Sequence, residues 1–249
     1  TPDKQQAMRG RAMPNENMKV ITVMTRKGGA GKTMLTRALT SAAMSQGKKC
    51  LVLDADPQQA LFRWAKKLEI SDPNFSIEQL TTPEAFEART EEAWEEGSID
   101  YVFVDTLGAA GAWADDLAAF SDVLVVPMML SNDDLEITQD TYGWYRDLRQ
   151  RTEDPENLPA FHVVLSSVPA RMNKTEKELE VQAVQSFPVI ENYFMERKQH
   201  KDAASQGFLH SLAEDRRNNE VALLRTHAKL YDEALEEAQA ILKDILGGV

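Results

Sequence analysis

A glycine-rich turn with two lysines, Lys27-Gly28-Gly29-Ala30-Gly31-Lys32-Thr33, follows the apolar run Val20 to Met24 and precedes a stretch of helical period that begins at residue 32. Glycine opens backbone conformations closed to other residues, so consecutive N–H groups can turn inward onto phosphate oxygens. The helix that follows adds the positive end of its dipole. In such a loop Lys32 reaches the β and γ phosphates and the Thr33 hydroxyl ligates magnesium, and the phosphate-binding stretch runs from Lys27 through Met34. A glycine cluster alone says little; this full string between a strand and a helix is specific.

The elements that must hold this turn are legible as an alternation. Apolar runs of strand length are separated by longer stretches of helical period, the mark of βαβ units. Strands are expected at Val20 to Met24, Cys50 to Asp54, Tyr101 to Asp105, Val123 to Pro127 and Phe161 to Leu165, with weaker runs at Phe75 to Leu80 and Pro188 to Tyr193. Helices are expected near 32 to 46, 58 to 68, 83 to 95, 132 to 151, 174 to 186 and 198 to 206, followed by a long final one. The expected fold is a single-domain, doubly wound α/β fold with a mostly parallel sheet and helices on both faces. The loop Glu153 to Pro159 is too short to link two domains.

The domain is expected to span 18–249, after a disordered tail of residues 1–17 that lacks the 7 to 15 residue apolar core of a signal peptide. Met18, directly before the first strand, stands where a natural start would. In the last helix Val221, Leu224, Ala228, Tyr231, Leu235, Ala238, Leu242 and Ile245 form one face, widened by Leu223, Leu230, Ala234 and Ile241. That width favours packing on the sheet over a two-stranded coiled coil. On the preceding 132 to 151 helix, Tyr142, Trp144 and Tyr145 suit either a packed face or a docking one.

The composition excludes several classes. With 249 residues and 43% hydrophobic side chains the chain can bury a sizeable core. A net charge of -12 speaks against a protein wrapped broadly around nucleic acid, so any DNA contact must use a confined patch. The single cysteine, Cys50, lies in an apolar run and reads as a small buried hydrophobe, and no intrachain disulfide can form. The apolar closing segment Ile241 to Gly248 belongs to a helix richer in acidic than basic residues, which makes membrane association an unlikely role for it.

Lys27 is the unusual member of the turn, because an ordinary phosphate loop needs no second lysine at its start. The string Lys27 to Thr33 resembles the deviant Walker A motif of the ParA/MinD family of ATPases. Asp54-Ala55-Asp56-Pro57-Gln58 and Asp100-Tyr101-Val102-Phe103-Val104-Asp105 follow in the family's order and spacing. The resemblance implies ATP with Mg2+ as ligands and weak intrinsic ATPase activity. It also implies a homodimer in the ATP state in which Lys27 crosses to the partner's nucleotide. Asp56 would position or polarise the attacking water, with Asp54 beside it near the magnesium shell and Asp105 holding magnesium. Lys27, Lys32 and Asp56 would thus be the catalytic set, and Thr33, Asp54 and Asp105 the metal set.

The chain departs from the family in two places. Thr106-Leu107-Gly108-Ala109-Ala110-Gly111 replaces the prolines usual after Asp105, and Ser166-Ser167 stands where many relatives carry an Asn-Arg pair near adenine. The hydrolysis rate and the base contact are therefore not implied by the resemblance. Ala60-Leu61-Phe62-Arg63-Trp64-Ala65 and the segment from Glu196-Arg197-Lys198 to Gly207 are similar to short plasmid-partition and Vir C-type members. Trp64 either packs its helix on the sheet or meets a partner.

Arg197, Lys198, Lys201, Arg216 and Arg217 gather among Glu196, Asp202, Glu214 and Asp215, a mix that usually forms a solvated face. Because ParA-like dimers bind non-specific DNA near this end, the resemblance implies that some of the five touch phosphates. The function expected is an ATP-driven dimerising switch, cytoplasmic and nucleoid-associated, that positions a plasmid or other cargo and is stimulated by a partner protein. Two other readings stay open: an adaptor ATPase recruiting a DNA-processing or transfer complex, and a metabolic ATP-dependent ligase on the same fold.

Overall fold

The computed structural model describes residues 14–26, 29, 31–106 and 113–247. Seven strands form one sheet: β1 (Lys19–Val23), β2 (Cys50–Ala55), β3 (Phe75–Gln79), β4 (Tyr101–Thr106), β5 (Val123–Met128), β6 (Ala160–Val168) and β7 (Phe194–Met195). The order is β3-β2-β4-β1-β5-β6-β7, and every pairing is parallel, where the sequence led us to expect a mostly parallel sheet. The connecting helices are α1 (Lys32–Ser45), α2 (Ala60–Lys67), α3 (Pro83–Glu96), α4 (Ala114–Ala119) and α5 (Asn132–Arg151). They are followed by α6 (Lys174–Ser186), α7 (Lys198–Gln206), α8 (Leu209–Arg217) and α9 (Ala222–Leu246).

Strand periodicity divides the apolar side chains between two cores. Phe103, Cys50, Val52, Ile21 and Val125 face one side, where α1, α2, α7, α8 and α9 pack. Val102, Val104, Leu51, Leu53 and Val126 face the other, covered by α3, α4, α5 and α6. The sheet is thereby buried on both faces, which is why its central strands read as continuous apolar runs. Cys50 is a buried free thiol, pushed up from its ordinary pKa by that burial.

Four expectations need correction. The edge run at Pro188 to Tyr193 contributes a single bridge, Val189 to Val163, and the strand proper is Phe194–Met195. Between that bridge and the Ser166–Phe194 pair the chain advances three residues on β6 but five on the edge segment, so regular pairing resumes only at Phe194. Secondly, α2 starts at Ala60 rather than residue 58, because Gln59 adopts a left-handed backbone, φ 52°. Thirdly, the stripe of α9 buries from Ala228 onward, while Val221, Leu223, Leu224 and Leu230 are exposed. Its C-terminal half packs on α1 and α8, so Ile241, Leu242 and Ile245 lie in the core. Fourthly, Asn15, in the segment expected to be a disordered tail, is tied down: its side-chain amide donates to the Ile99 carbonyl at 2.7 Å. The rest of the expected tail, residues 1–13, lies outside the described residues.

The aromatic trio on α5 divides. Tyr145 is buried and donates its hydroxyl to the Pro159 carbonyl at 2.7 Å, and Tyr142 packs on Phe161 and Phe187. Trp144 lies nearer the surface, donating its indole N–H to Asp115 at 2.9 Å. Among the described residues no helix is long and apolar enough to cross a membrane.

Candidate functional site

In an open parallel sheet a ligand settles outside the carboxyl ends of the strands, at the point where strand order reverses. Here that point is β1, which has β4 on one flank and β5 on the other. The chain leaves β1 through the glycine-rich turn and enters α1 at Gly31, which is left-handed at φ 87°. No side chain caps this helix end among the described residues, and the positive end of the helix dipole there favours an anion. Gly31 is required twice over. Its φ strains any other residue, and a Cβ there would meet the Ser166 hydroxyl at 3.1 Å.

Directly across from this helix end, the Thr33 hydroxyl donates to Asp105 Oδ2 at 2.6 Å. That bond commits the hydroxyl hydrogen and leaves the oxygen lone pairs of Thr33 free for a cation. Asp105 is buried, and its carboxyl is pushed up to about 7, chiefly by burial; the Thr33 bond and Lys32 work against the rise, while Asp54 and Asp56 add to it. Its other oxygen, Oδ1, is buried without a hydrogen-bond partner among the described residues. A buried carboxylate oxygen with no donor is costly unless a ligand compensates it.

This hydroxyl and carboxylate fit a magnesium ion bound largely through phosphate and water. No cluster of three or more acidic, His or Cys side chains that could hold a metal alone occurs among the described residues. Lys32 is buried beside them. Burial lowers its amine pKa, and Asp105 and Asp56 pull it back up.

Asp54 and Asp105 stand side by side in the β2–β4 register, so the acids of both motifs share one edge of the sheet. Their surroundings differ. Asp54 Oδ1 accepts the Asp56 N–H at 3.2 Å, and Oδ2 accepts the N–H groups of Leu61 at 3.0 Å and Phe62 at 2.8 Å. Its carboxyl is raised by burial, with those three bonds opposing the rise. Asp56 is half-buried, and its Oδ1 takes the Gln58 N–H at 2.8 Å. The candidate residues Thr33, Lys32, Asp54, Asp56 and Asp105 are thus brought to one place, with Gly29, Gly31 and Met34 on the loop and helix that face them. Lys27, Gly28 and Ala30 lie outside the described residues, as does the expected switch segment from Leu107 to Gly111.

The five basic candidates lie far along the chain on α7, α8 and the residue before α7. Most are already engaged. Arg197 binds Glu237 at 3.0 Å and Glu233 at 3.5 Å; Lys201 binds Glu196 at 2.9 Å; Arg217 binds Asp232 at 2.6 Å. Arg216 lies over the Tyr231 ring at 4.0 Å. Lys198 is exposed and has no ion-pair partner among the described residues.

Two contacts were not anticipated from the sequence. Arg37, on α1, is half-buried with its guanidinium 4.7 Å from the Trp64 ring, and burial brings its pKa down to about 10. Trp64 itself packs in the core and donates its indole N–H to the Ala203 carbonyl at 3.1 Å, joining α2 to α7. The available signal was spacing: Arg37 lies little more than one helical turn beyond Lys32, on a largely buried helix.

The chain matches the family described as VirC1 protein over residues 18–248. It is 30% identical to protein virC1 of Rhizobium rhizogenes over 235 residues, covering 88% of this chain and 100% of the relative. It is also 30% identical to protein virC1 of Rhizobium radiobacter over 197 residues, covering 78% and 83%. Among solved structures it is similar to the Cyanothece McdA(D38A)–ATP complex, with a TM-score of 0.68 and 17% identity, covering 94% of this chain and 98% of that one.

Proposed function

Because the chain belongs to the VirC1 family of ParA/MinD-like ATPases, we propose that it is an ATP-driven dimerising switch that binds DNA without sequence preference and hydrolyses ATP slowly. The observation that carries the reading is the Thr33–Asp105 pair at the uncapped start of α1, with Asp105 Oδ1 buried and unpartnered. An anion is favoured at the helix end and a cation at the carboxylate, and Mg·ATP supplies both.

In this reading the amides from Gly29 to Met34 and the Lys32 amine hold the triphosphate, and Thr33 and Asp105 orient the ion. Held by Thr33 and Asp105, a magnesium ion would supply positive charge against the negative charge that builds on the phosphates. Asp56 lies on the half-exposed loop after β2, where a carboxylate can orient water toward the γ phosphate. Lys27 adds a second cation from the partner subunit, so that bound triphosphate favours the paired state.

Non-specific DNA is bound by the dimer through some of Arg197, Lys198, Lys201, Arg216 and Arg217. Lys198 is the strongest candidate, because it has no internal partner to give up. Such a protein is nucleoid-associated while bound to ATP. A partner that speeds hydrolysis releases it, and repeated cycles position a plasmid or other cargo.

Retention on DNA measured with ATP, with ADP and without nucleotide tests the reading. We expect retention with ATP alone, falling steeply with salt, and weakened when Lys198, Lys201, Arg216 and Arg217 are neutralised together. Equal retention in all three states, or a quadruple variant that behaves as the parent, overturns the DNA-binding part. Absence of magnesium-dependent ATP affinity by calorimetry overturns the whole.

A further inference from the structure

We propose that Asp54 is a positioning residue for Asp56 rather than a member of the metal site; this rests on the ATPase reading above. The segment from Asp56 to the first turn of α2 is pinned at both ends by the Asp54 carboxylate. Asp54 Oδ1 receives the Asp56 N–H, and Oδ2 receives the N–H groups of Leu61 and Phe62 in the first turn of α2. That helix lacks a cap of its own, because Gln59 at its N-cap position is left-handed and makes no side-chain capping bond. Asp54 therefore supplies from β2 what a Ser, Asp or Asn at the cap would normally provide. It closes the segment Asp56 to Gln59 into a fixed arc. Gln59 adds a second tie, its backbone N–H donating to the Asp56 carbonyl at 2.7 Å.

The contrast with Asp105 decides the assignment. A carboxylate has about four lone-pair sites. Among the described residues three N–H donors converge on Asp54, whereas Asp105 receives a single hydroxyl and keeps one oxygen without a donor. Moving an amide away from Asp54 to admit a metal would unwind the start of α2. Adding a ligand to Asp105 Oδ1 displaces nothing. Asp56 then acts on the substrate, and Asp54 acts through Asp56 by setting where its backbone lies.

The test compares Asp54→Asn, Asp56→Ala and the double variant in ATP hydrolysis at varied Mg2+, together with amide hydrogen exchange at Leu61 and Phe62. Asn keeps the volume but turns one acceptor into a donor that faces amides. We expect kcat to fall roughly 10- to 100-fold, the scale of a misplaced reacting group. KM for ATP and the Mg2+ midpoint should stay within about twofold, the two amides should exchange roughly tenfold faster, and Asp54→Asn should add nothing in the Asp56→Ala background.

A Mg2+ midpoint shifted by more than about tenfold, with amide protection intact, makes Asp54 a metal residue and overturns the proposal; so does an unchanged kcat. If Asp54→Asn does not fold, Asp54→Glu, which keeps the charge but moves both oxygens, is held to the same criteria. If the parent hydrolyses no ATP, the ATPase reading fails. Exchange at Leu61 and Phe62 and the Mg2+ dependence of ATP affinity then decide the role of Asp54 alone.

Discussion

The carboxyl edge of β1, β2 and β4 and the helical layer of α7, α8 and α9 treat charge in opposite ways. At the strand edge charged groups are buried, and one of them, Asp105, keeps an oxygen with no donor among the described residues. In the helical layer Lys201 and Arg217 lie at the surface and Arg197 is partly buried, and each meets a carboxylate within 3.0 Å. A small ligand's site thus announces itself as uncompensated burial. A surface for a long polyanion need not, since a phosphate backbone can compete with exposed carboxylates that hold their partners weakly.

The largest break in the comparison should come from Lys32→Ala. With a buried cation removed from the triphosphate site, Mg·ATP affinity is expected to fall about 100-fold or more by calorimetry. Chemical denaturation is expected to register a smaller change than this loss of affinity. A loss of stability comparable to the loss of binding would mean that the edge is as self-compensated as the helical layer.

In that layer Arg197→Ala and Lys198→Ala sharpen the contrast between neighbours. Arg197 neutralises Glu237, whose side chain is only 10% exposed and which also accepts the Met195 N–H at 2.9 Å. Its truncation is expected to cost about 1–2 kcal/mol in urea unfolding, after allowance for the partial exposure of the pair. Lys198→Ala should stay within about 0.5 kcal/mol and lower DNA retention instead. The reverse pattern would exchange their roles.

The smallest effect concerns pH. His210, in α8, shares a 2.8 Å hydrogen bond with the buried Ser41 hydroxyl of α1, and burial lowers its pKa against the opposing pull of Asp72 and Glu214. The unfolded chain therefore takes up this proton first. Stability from this group is complete above about pH 6.5 and declines as pH falls toward the lower folded value. Between pH 7.5 and 5.5 the midpoint of thermal unfolding should drop about 1–2 °C further in the parent than in His210→Gln. An equal drop would mean that the α1–α8 contact does not respond to protons.

How much of this was legible in the sequence depended on burial. β2, β4 and β5 have both faces covered, so Cys50 to Asp54, Tyr101 to Asp105 and Val123 to Pro127 stand out as unbroken apolar runs. Helix α1 begins at Lys32 as expected, because the turn before it is marked by glycine. The edge was less legible: Pro188 to Tyr193 is apolar enough for a strand, but after one bridge its register to β6 is lost until Phe194, which no local pattern reveals. Helices α4 and α8 were not anticipated. Leu209, Leu212 and Ala213 carry the right spacing for α8, but over nine residues it is too brief to stand out.

At the site, residue types told which groups convene but not how they divide the work. Asp54 and Asp105 look alike in sequence. Only the amides of Leu61 and Phe62, brought round by the turn at Gln59, separate them.

The close approach of Ser166 to Gly31 ties two distant stretches of the chain together. A Cβ at Gly31 would crowd the Ser166 hydroxyl, so the end of β6 forms one wall of the helix start and limits what can stand there.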